Sequence, residues 1–190
     1  MFLRKSILTA TAVSFTVAGA VGQPAIAASR VSQADTATPV RIVSDSGGQR
    51  MSIYDASMSP GAQLVADASN VWYPRKTEVW VISQDPNGYF VIKNNASGQC
   101  LEPADPNAPA IGMNIVQQPC NSSLGQQWKF SDYAAPSKNS GARSGEYTIT
   151  PRRNLNTALT VNDWGNTNWS YIVLDHSYAA SNRLWMFYNE

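Results

Sequence analysis

Aromatic side chains in polar loops are the residues of this chain best suited to binding chemistry. The segment 163–169 reads Asp-Trp-Gly-Asn-Thr-Asn-Trp and sets Trp164 and Trp169 among amide and carboxylate groups. A loop of this composition cannot easily bury both rings, so it suits a saccharide platform or a protein hot spot. The alternative is that one or both rings fold back on the domain. Two further loops of this kind contain Trp72 and Tyr54.

The sequence contains few of the residues and motifs that enzymes use for catalysis. His176 is the one histidine, and no G-x-S-x-G or comparable nucleophile setting is present. A carboxylate pair for glycoside cleavage needs a defined separation in space, which the sequence does not give. The sequence therefore predicts no enzyme, no catalytic residues, no metal site and no cofactor.

The N-terminal segment predicts export. Arg4 and Lys5 precede an apolar and small-residue run over 7–21, and Ala25-Ile26-Ala27 has the A-x-A form of a cleavage site. Threonines, serines and glycines interrupt the run, which argues against the alternative of a membrane anchor. We interpret residues 1–27 as a signal peptide and expect a secreted, extracellular protein without a membrane span.

Cys100 and Cys120 are the only cysteines, and export carries them into an oxidising compartment, which favours a disulfide. Their spacing does not suit a C-x-x-C redox pair or a zinc site.

The charge of the chain gives no sign of an anionic partner. Without Arg4 and Lys5, the remainder has 12 basic and 13 acidic residues. Nucleic acids and anionic membrane surfaces require clustered lysine and arginine, so neither is expected as a partner.

Three tryptophans close three similar stretches of sequence. Trp80, Trp128 and Trp185 each follow a polar residue and a spacer, and similar segments precede them at a period of roughly 50 residues. Short β-branched and aromatic runs, separated by Gly, Pro, Asn and Asp, predict strands, and no stretch has convincing helical periodicity. Three units of about four strands cannot bury their apolar faces singly and must pack around a shared axis. The sequence therefore predicts an all-β protein, a β-trefoil of about twelve strands.

The predicted domain organisation follows from the repeat. Residues 28–39 form a flexible lead-in, and a single domain covers 40–190. Its three units span about 40–85, 86–145 and 146–190, with a polar insertion over 131–145.

The middle unit resembles a ricin B-chain-type lectin repeat. It contains the cysteine pair at that family's spacing and ends in Gln126-Gln127-Trp128, a Q-x-W motif, of which the other two units keep degenerate copies. The resemblance implies a pseudo-threefold β-trefoil whose core contains Trp80, Trp128 and Trp185. It also implies a disulfide within the middle unit.

The same resemblance implies where a sugar would bind. In that family an acid two residues after the first cysteine and amides near Q-x-W grip sugar hydroxyls, and an aromatic residue before the second cysteine stacks on the ring. Here no unit has the full set, and Gly125 replaces one amide of the middle unit. The corresponding positions are Ser52, Asp67, Thr77 and Glu78 in the first unit, Glu102, Gln118 and Gln126 in the second, and Thr160, Asp175, Asn182 and Arg183 in the third.

Several of these residues have a second interpretation. Glu102 is either a sugar ligand or a solvated loop carboxylate. Asp67 and Asp175 either rebuild a polar site or cap turns. Arg183 forms only a surface ion pair if it lies near Asp175.

We expect a secreted, noncatalytic, lectin-like protein whose partner is a glycan or glycoprotein. The alternative is a protein-binding trefoil with degenerate sugar sites, such as a secreted inhibitor or the receptor-binding subunit of a toxin. The candidate carbohydrate-binding residues are Glu102, Gln118, Gln126, Trp164, Asp175 and Asn182.

Overall fold

The computed structural model describes residues 39–68, 75–132, 145–162, 169–178 and 180–190. The predicted signal peptide over 1–27 lies outside these residues, as do 28–38 of the predicted lead-in. Within them the chain forms twelve strands, as predicted, and short 3-10 turns. The strands are β1 (Val40–Ser44), β2 (Arg50–Ile53), β3 (Leu64–Asp67), β4 (Val79–Gln84), β5 (Phe90–Asn94), β6 (Cys100–Pro103), β7 (Ile115–Gln118), β8 (Trp128–Asp132), β9 (Tyr147–Pro151), β10 (Thr157–Val161), β11 (Trp169–His176) and β12 (Trp185–Asn189).

The strands form a barrel closed by three hairpins, which is the predicted β-trefoil. Strands β1, β4, β5, β8, β9 and β12 pair in a closed antiparallel ring. The remaining strands form the hairpins β2–β3, β6–β7 and β10–β11. Each unit thus contributes two barrel strands and one hairpin, and ring closure leaves the barrel without exposed edges.

The three motif tryptophans lie in the core, as predicted. Trp80, Trp128 and Trp185 are fully buried. A buried indole N–H needs an acceptor, and each Nε1 donates to a main-chain carbonyl of its own unit. The acceptors are the carbonyl oxygens of Met51 at 3.0 Å, Leu101 at 3.1 Å and Leu159 at 3.0 Å. The three tryptophans therefore occupy equivalent positions, and so do their three acceptors, which fixes the correspondence between the units.

The aliphatic residues predicted to pack with the tryptophans are also buried. They are Leu101, Leu159, Ile115, Ile172 and Val116. The predicted insertion begins later than expected, because Ser131 and Asp132 are the last two residues of β8.

The described residues contain no helix that is long and apolar enough to cross a membrane.

A disulfide joins Cys100 and Cys120, as predicted, with 5.0 Å between their Cα atoms. It links the first residue of β6 to the segment that follows β7 and staples the middle unit alone. Closing a loop of this length restricts the unfolded chain, so it stabilises the fold by about 3 kcal/mol in the loop-entropy account.

We expect the Cys100→Ser, Cys120→Ser double variant to lose about that amount of stability. Urea unfolding of the variant beside the oxidised chain measures it, and the wild-type chain with reductant is the control. Equal midpoints for the variant and the oxidised chain would show that the disulfide does not stabilise the domain.

Candidate functional site

The middle unit brings two of the predicted sugar-binding residues together. Glu102 lies in β6, and Gln126 ends the 3-10 turn Leu124–Gln126. Gln126 Nε2 donates to Glu102 Oε2 at 3.0 Å, and no hydrogen bond from the described residues reaches the second carboxylate oxygen, Oε1. Glu102 is only 8% exposed and belongs to a strand. The interpretation of Glu102 as a solvated loop carboxylate is therefore wrong.

Both polar atoms of the Gln126 side chain form hydrogen bonds within the protein. Its Nε2 also donates to the Pro119 carbonyl at 3.0 Å, and its Oε1 accepts from the Asn121 amide at 2.9 Å. The side chain is fully buried. Its chemical role is to position the Glu102 carboxylate, because its own hydrogen-bonding atoms are engaged inside the protein.

The neighbouring positions of the middle unit differ from the family pattern. Gln118 is half-buried at the end of β7, opposite Cys100 in the ladder. At Gly125, a Cβ atom would lie 2.3 Å from Pro106 Cβ. The loop after β6 thus fills the space that a side chain at Gly125 would need, which explains why no amide stands there.

In the first unit an ion pair occupies the positions that correspond to Cys100 and Gln126. Glu78 corresponds to Gln126, and Arg50 corresponds to Cys100. Arg50 Nη1 contacts Glu78 Oε2 at 2.6 Å, with side-chain exposures of 10% and 0%. Asp67 stands opposite Arg50 in the β2–β3 ladder, with Oδ2 3.6 Å from Arg75 Nη1.

The third unit also contains an ion pair, between Arg183 and Asp175. Arg183 does lie near Asp175, but it is buried rather than at the surface. Its guanidinium carbon lies 4.1 Å from the centroid of the Tyr178 ring. Burial opposes ionisation of Asp175, yet the His176 amide and Arg183 together hold the pKa of that carboxyl below its ordinary value.

Asp67 and Asp175 are strand residues, and Asp175 accepts from the His176 amide as well as from Arg183. Asn182 is buried and donates from Nδ2 to the Val161 carbonyl at 3.2 Å. In the first and third units, the candidate positions are therefore engaged with protein groups.

Of the three tryptophans predicted to lie in polar loops, Trp169 is among the residues that the structure describes. Trp164 lies in 163–168 and Trp72 in 69–74, outside the described residues, so both remain predictions. Trp169 is the first residue of β11, and its ring meets Tyr54 edge to face at 5.5 Å between centroids.

The sequence pattern does not single out Tyr171 or Arg75, although both lie near Trp169. Tyr171 is exposed two residues further along β11, and the Arg75 guanidinium carbon lies 4.3 Å from the centroid of the Trp169 ring. The available signal for Tyr171 was the alternation of aromatic residues at Trp169 and Tyr171, since alternate strand residues share a face.

Comparisons with known proteins agree with the fold. A sequence model for a family described as ricin-type β-trefoil lectin domain-like matches residues 76–175. No curated protein matches the chain significantly.

Three solved structures illustrate the similarity. The designed threefold-symmetric protein ThreeFoil has a TM-score of 0.69 at 19% identity, over 80% of this chain and 99% of its own. An exo-β-1,3-galactanase from Clostridium thermocellum has a TM-score of 0.68 at 22% identity, over 80% of this chain but only 30% of its own. A ricin B-like lectin from Macrolepiota procera, in complex with lactose, has a TM-score of 0.62 at 14% identity, over 81% and 96%. At these identities the likeness concerns the fold.

Proposed function

The chain belongs to the ricin-type β-trefoil lectin-like family, and from this premise we propose that it is a secreted, noncatalytic carbohydrate-binding protein. Secretion rests on the predicted signal peptide over 1–27. The noncatalytic character rests on the family and on the scarcity of catalytic residue types, with His176 as the one histidine.

The contact between Gln126 and Glu102 is the observation that carries this proposal. The amide holds one carboxylate oxygen at 3.0 Å and leaves Oε1 to accept a hydroxyl proton. Hydrogen bonds to an ionised group are stronger than those between neutral groups. The contact lies in the unit that also keeps the cysteine pair and the one true Q-x-W motif, so we place the sugar site there.

In this site Glu102 accepts from sugar hydroxyls, and Gln126 positions Glu102. Gln118 lies across the ladder from Cys100 and supplies an amide in place of a stacking ring. Without that ring the apolar contact to the sugar is small, so we expect weak binding. Asp175 pairs with Arg183 and Asn182 donates to the Val161 carbonyl, so neither is assigned to the sugar site, and Trp164 remains a predicted contact of the third unit.

Replacing Glu102 with glutamine tests the middle site. The variant keeps the shape but loses the charge, so we expect affinity to fall by about 1.5 to 3 kcal/mol, or roughly ten- to a hundredfold in Kd. A glycan array screens the purified chain, with lactose among the first probes because the Macrolepiota procera lectin was solved with it. Titration of the glycans bound at this site then gives the Kd values.

Asp105→Asn is the matched control. Asp105 lies in the loop that follows β6, is exposed and accepts from the Asn107 amide at 3.0 Å, so the loss of its charge should leave binding unchanged. Melting curves establish that both variants are folded. Unchanged affinity in Glu102→Gln for every bound glycan would refute the middle site.

The alternative function is a protein-binding trefoil with degenerate sugar sites. The ion pairs Arg50–Glu78 and Arg183–Asp175 favour it, because they engage Glu78, Asp175 and Arg183, which stand at candidate positions of two units. A blank array at millimolar glycan would move the assignment to this alternative, and a pull-down would then seek the partner.

A further inference from the structure

A cleft of about 330 Å³ opens where the first and third units meet. We call it the boundary cleft and define it by its lining residues, Tyr54, Asp55, Trp169 and Tyr171. Tyr54 and Asp55 follow β2, whereas Trp169 and Tyr171 begin β11. Pairing of β11 with β3, through Trp169 with Asp67 and Tyr171 with Val65, brings the two units together. This volume is at the lower end of the range for small-molecule sites, roughly 300 to 1,000 Å³.

Three aromatic rings form the walls of the boundary cleft. Tyr54 lies 5.5 Å from Trp169 and 6.3 Å from Tyr171, measured between ring centroids. Tyr54 is 48% exposed and Tyr171 is 42% exposed, so ring surface faces the solvent. Aromatic rings offer apolar contact to the C–H face of a sugar, and tyrosine adds a hydroxyl that hydrogen-bonds.

The pseudo-threefold symmetry shows that the fold does not require these rings. The bridges Gln63 to Val116 and Asn114 to Val173 are the equivalents of the pairing between Tyr171 and Val65. The two other unit boundaries have small or amide residues at the aromatic positions. These are Ala104 and Asn162 for Tyr54, Gly61 and Gly112 for Trp169, and Gln63 and Asn114 for Tyr171. The core tryptophans recur in all three units, but the cleft aromatics occur at one boundary.

Asp55 supplies a carboxylate to the boundary cleft. Its equivalent in the middle unit, Asp105, uses its carboxylate to cap the Asn107 amide. Asp55 instead makes no hydrogen bond or ion pair through its carboxylate with the described residues. Asp55 and the next residue, Ala56, both lie in the left-handed region, at φ 54° and 50°. That region is unfavourable for residues other than glycine, and such conformations concentrate at functional sites.

Arg75 positions Trp169. Its guanidinium carbon lies over the ring, 4.3 Å from the centroid, while Nη1 is 3.6 Å from Asp67 Oδ2. The guanidinium thus covers one face of the indole and also forms an ion pair with the buried Asp67 carboxylate. Among the described residues that line the cleft, Asp55 is the one charged residue, and no cation pairs with its carboxylate.

We propose that the boundary cleft is a second saccharide site, separate from the middle unit, and that it takes neutral pyranosides. The rings of Tyr54 and Tyr171 pack against the C–H face of the sugar, and Asp55 accepts from its hydroxyls. An acidic sugar is disfavoured because its carboxylate would face Asp55. The proposal shares its ligand class with the proposed function, but none of its residues.

An array of neutral, sialylated and uronate-terminated glycans tests this site with the purified full chain. In the Tyr54→Ala, Tyr171→Ala double variant, we expect a set of neutral glycans to bind roughly tenfold more weakly or not at all. The same glycans should keep their affinity for Glu102→Gln. Asp55→Asn should weaken neutral glycans and raise the signal of acidic ones relative to them.

Tyr188→Ala is the control for loss of an exposed tyrosine, since Tyr188 is 51% exposed on β12. Melting curves confirm the fold of each variant. Neutral-glycan binding that is unchanged in the double variant, or that disappears entirely in Glu102→Gln, would overturn the cleft site while leaving the proposed function in place. Binding confined to acidic glycans would overturn the ligand class. A blank array would overturn the cleft site and the proposed function together.

Discussion

Replacing Trp128 with alanine is expected to lower the free energy of unfolding by about 3 to 5 kcal/mol. The ring is fully buried, and its Nε1 donates to the Leu101 carbonyl at 3.1 Å. The variant therefore loses apolar burial, leaves a cavity in a close-packed core and removes a side-chain donor to that carbonyl. Urea unfolding followed by circular dichroism measures the change. The melting temperature should fall by roughly 6 °C or more for a domain of this size.

Trp128→Phe and Tyr188→Ala are the matched controls for this prediction. Phenylalanine keeps most of the buried ring but not the N–H, so its cost should be clearly smaller than that of alanine. Tyr188 is an exposed aromatic residue, and its removal should change stability by less than about 0.5 kcal/mol. If Trp128→Ala unfolded within a degree or two of the wild type, the assignment of this tryptophan to the core would be wrong.

Replacing Glu78 with leucine is the second change with a large expected effect. The substitution leaves Arg50 buried without its carboxylate partner, and losing one member of a buried pair costs about 3 to 5 kcal/mol. The side chains of Arg50 and Glu78 are 10% and 0% exposed, so water cannot replace the lost contact. Denaturant unfolding of the folded variant measures this loss.

The Arg50→Met, Glu78→Leu double variant separates the charge from the packing. Two apolar side chains of similar volume fill the same space without a desolvated charge, so we expect stability near that of the wild type. A double-mutant cycle then gives the coupling energy of the pair. A loss below about 1 kcal/mol in Glu78→Leu would be typical of an exposed pair and would contradict the buried geometry. Raising the salt concentration should change the coupling little, since buried pairs are weakly screened.

The architecture could be predicted because its determinants are local or repeated. Trp80, Trp128 and Trp185 mark the ends of three similar units, and turn residues separate the strand segments between them. Each unit buries its apolar face only against the other two, so a repeat of this length requires a shared core. The structure confirms the three tryptophans as equivalent core residues, each donating to the same carbonyl position of its unit.

The candidate sugar residues could be located from the sequence, but their surroundings could not. Glu102 and Gln126 are 24 residues apart, and their contact follows from pairing of strands within one unit. From the sequence, an ion pair between Arg183 and Asp175 could be stated only on the condition that the two residues lie close together. No spacing rule gives the burial of Arg183 or its position over the Tyr178 ring. Predictions for Trp164 and for residues 1–27 remain predictions.

By itself, the sequence determined the fold class, the three units, the disulfide and the core tryptophans, because alternation, turn chemistry and repetition are properties of short segments. Only the tertiary structure decided which polar residues are engaged inside each unit and which aromatics meet at a unit boundary. Tyr54 and Trp169 belong to the first and third units, and they become neighbours when β11 pairs with β3. Such neighbours depend on closure of the whole ring, which no segment of sequence contains.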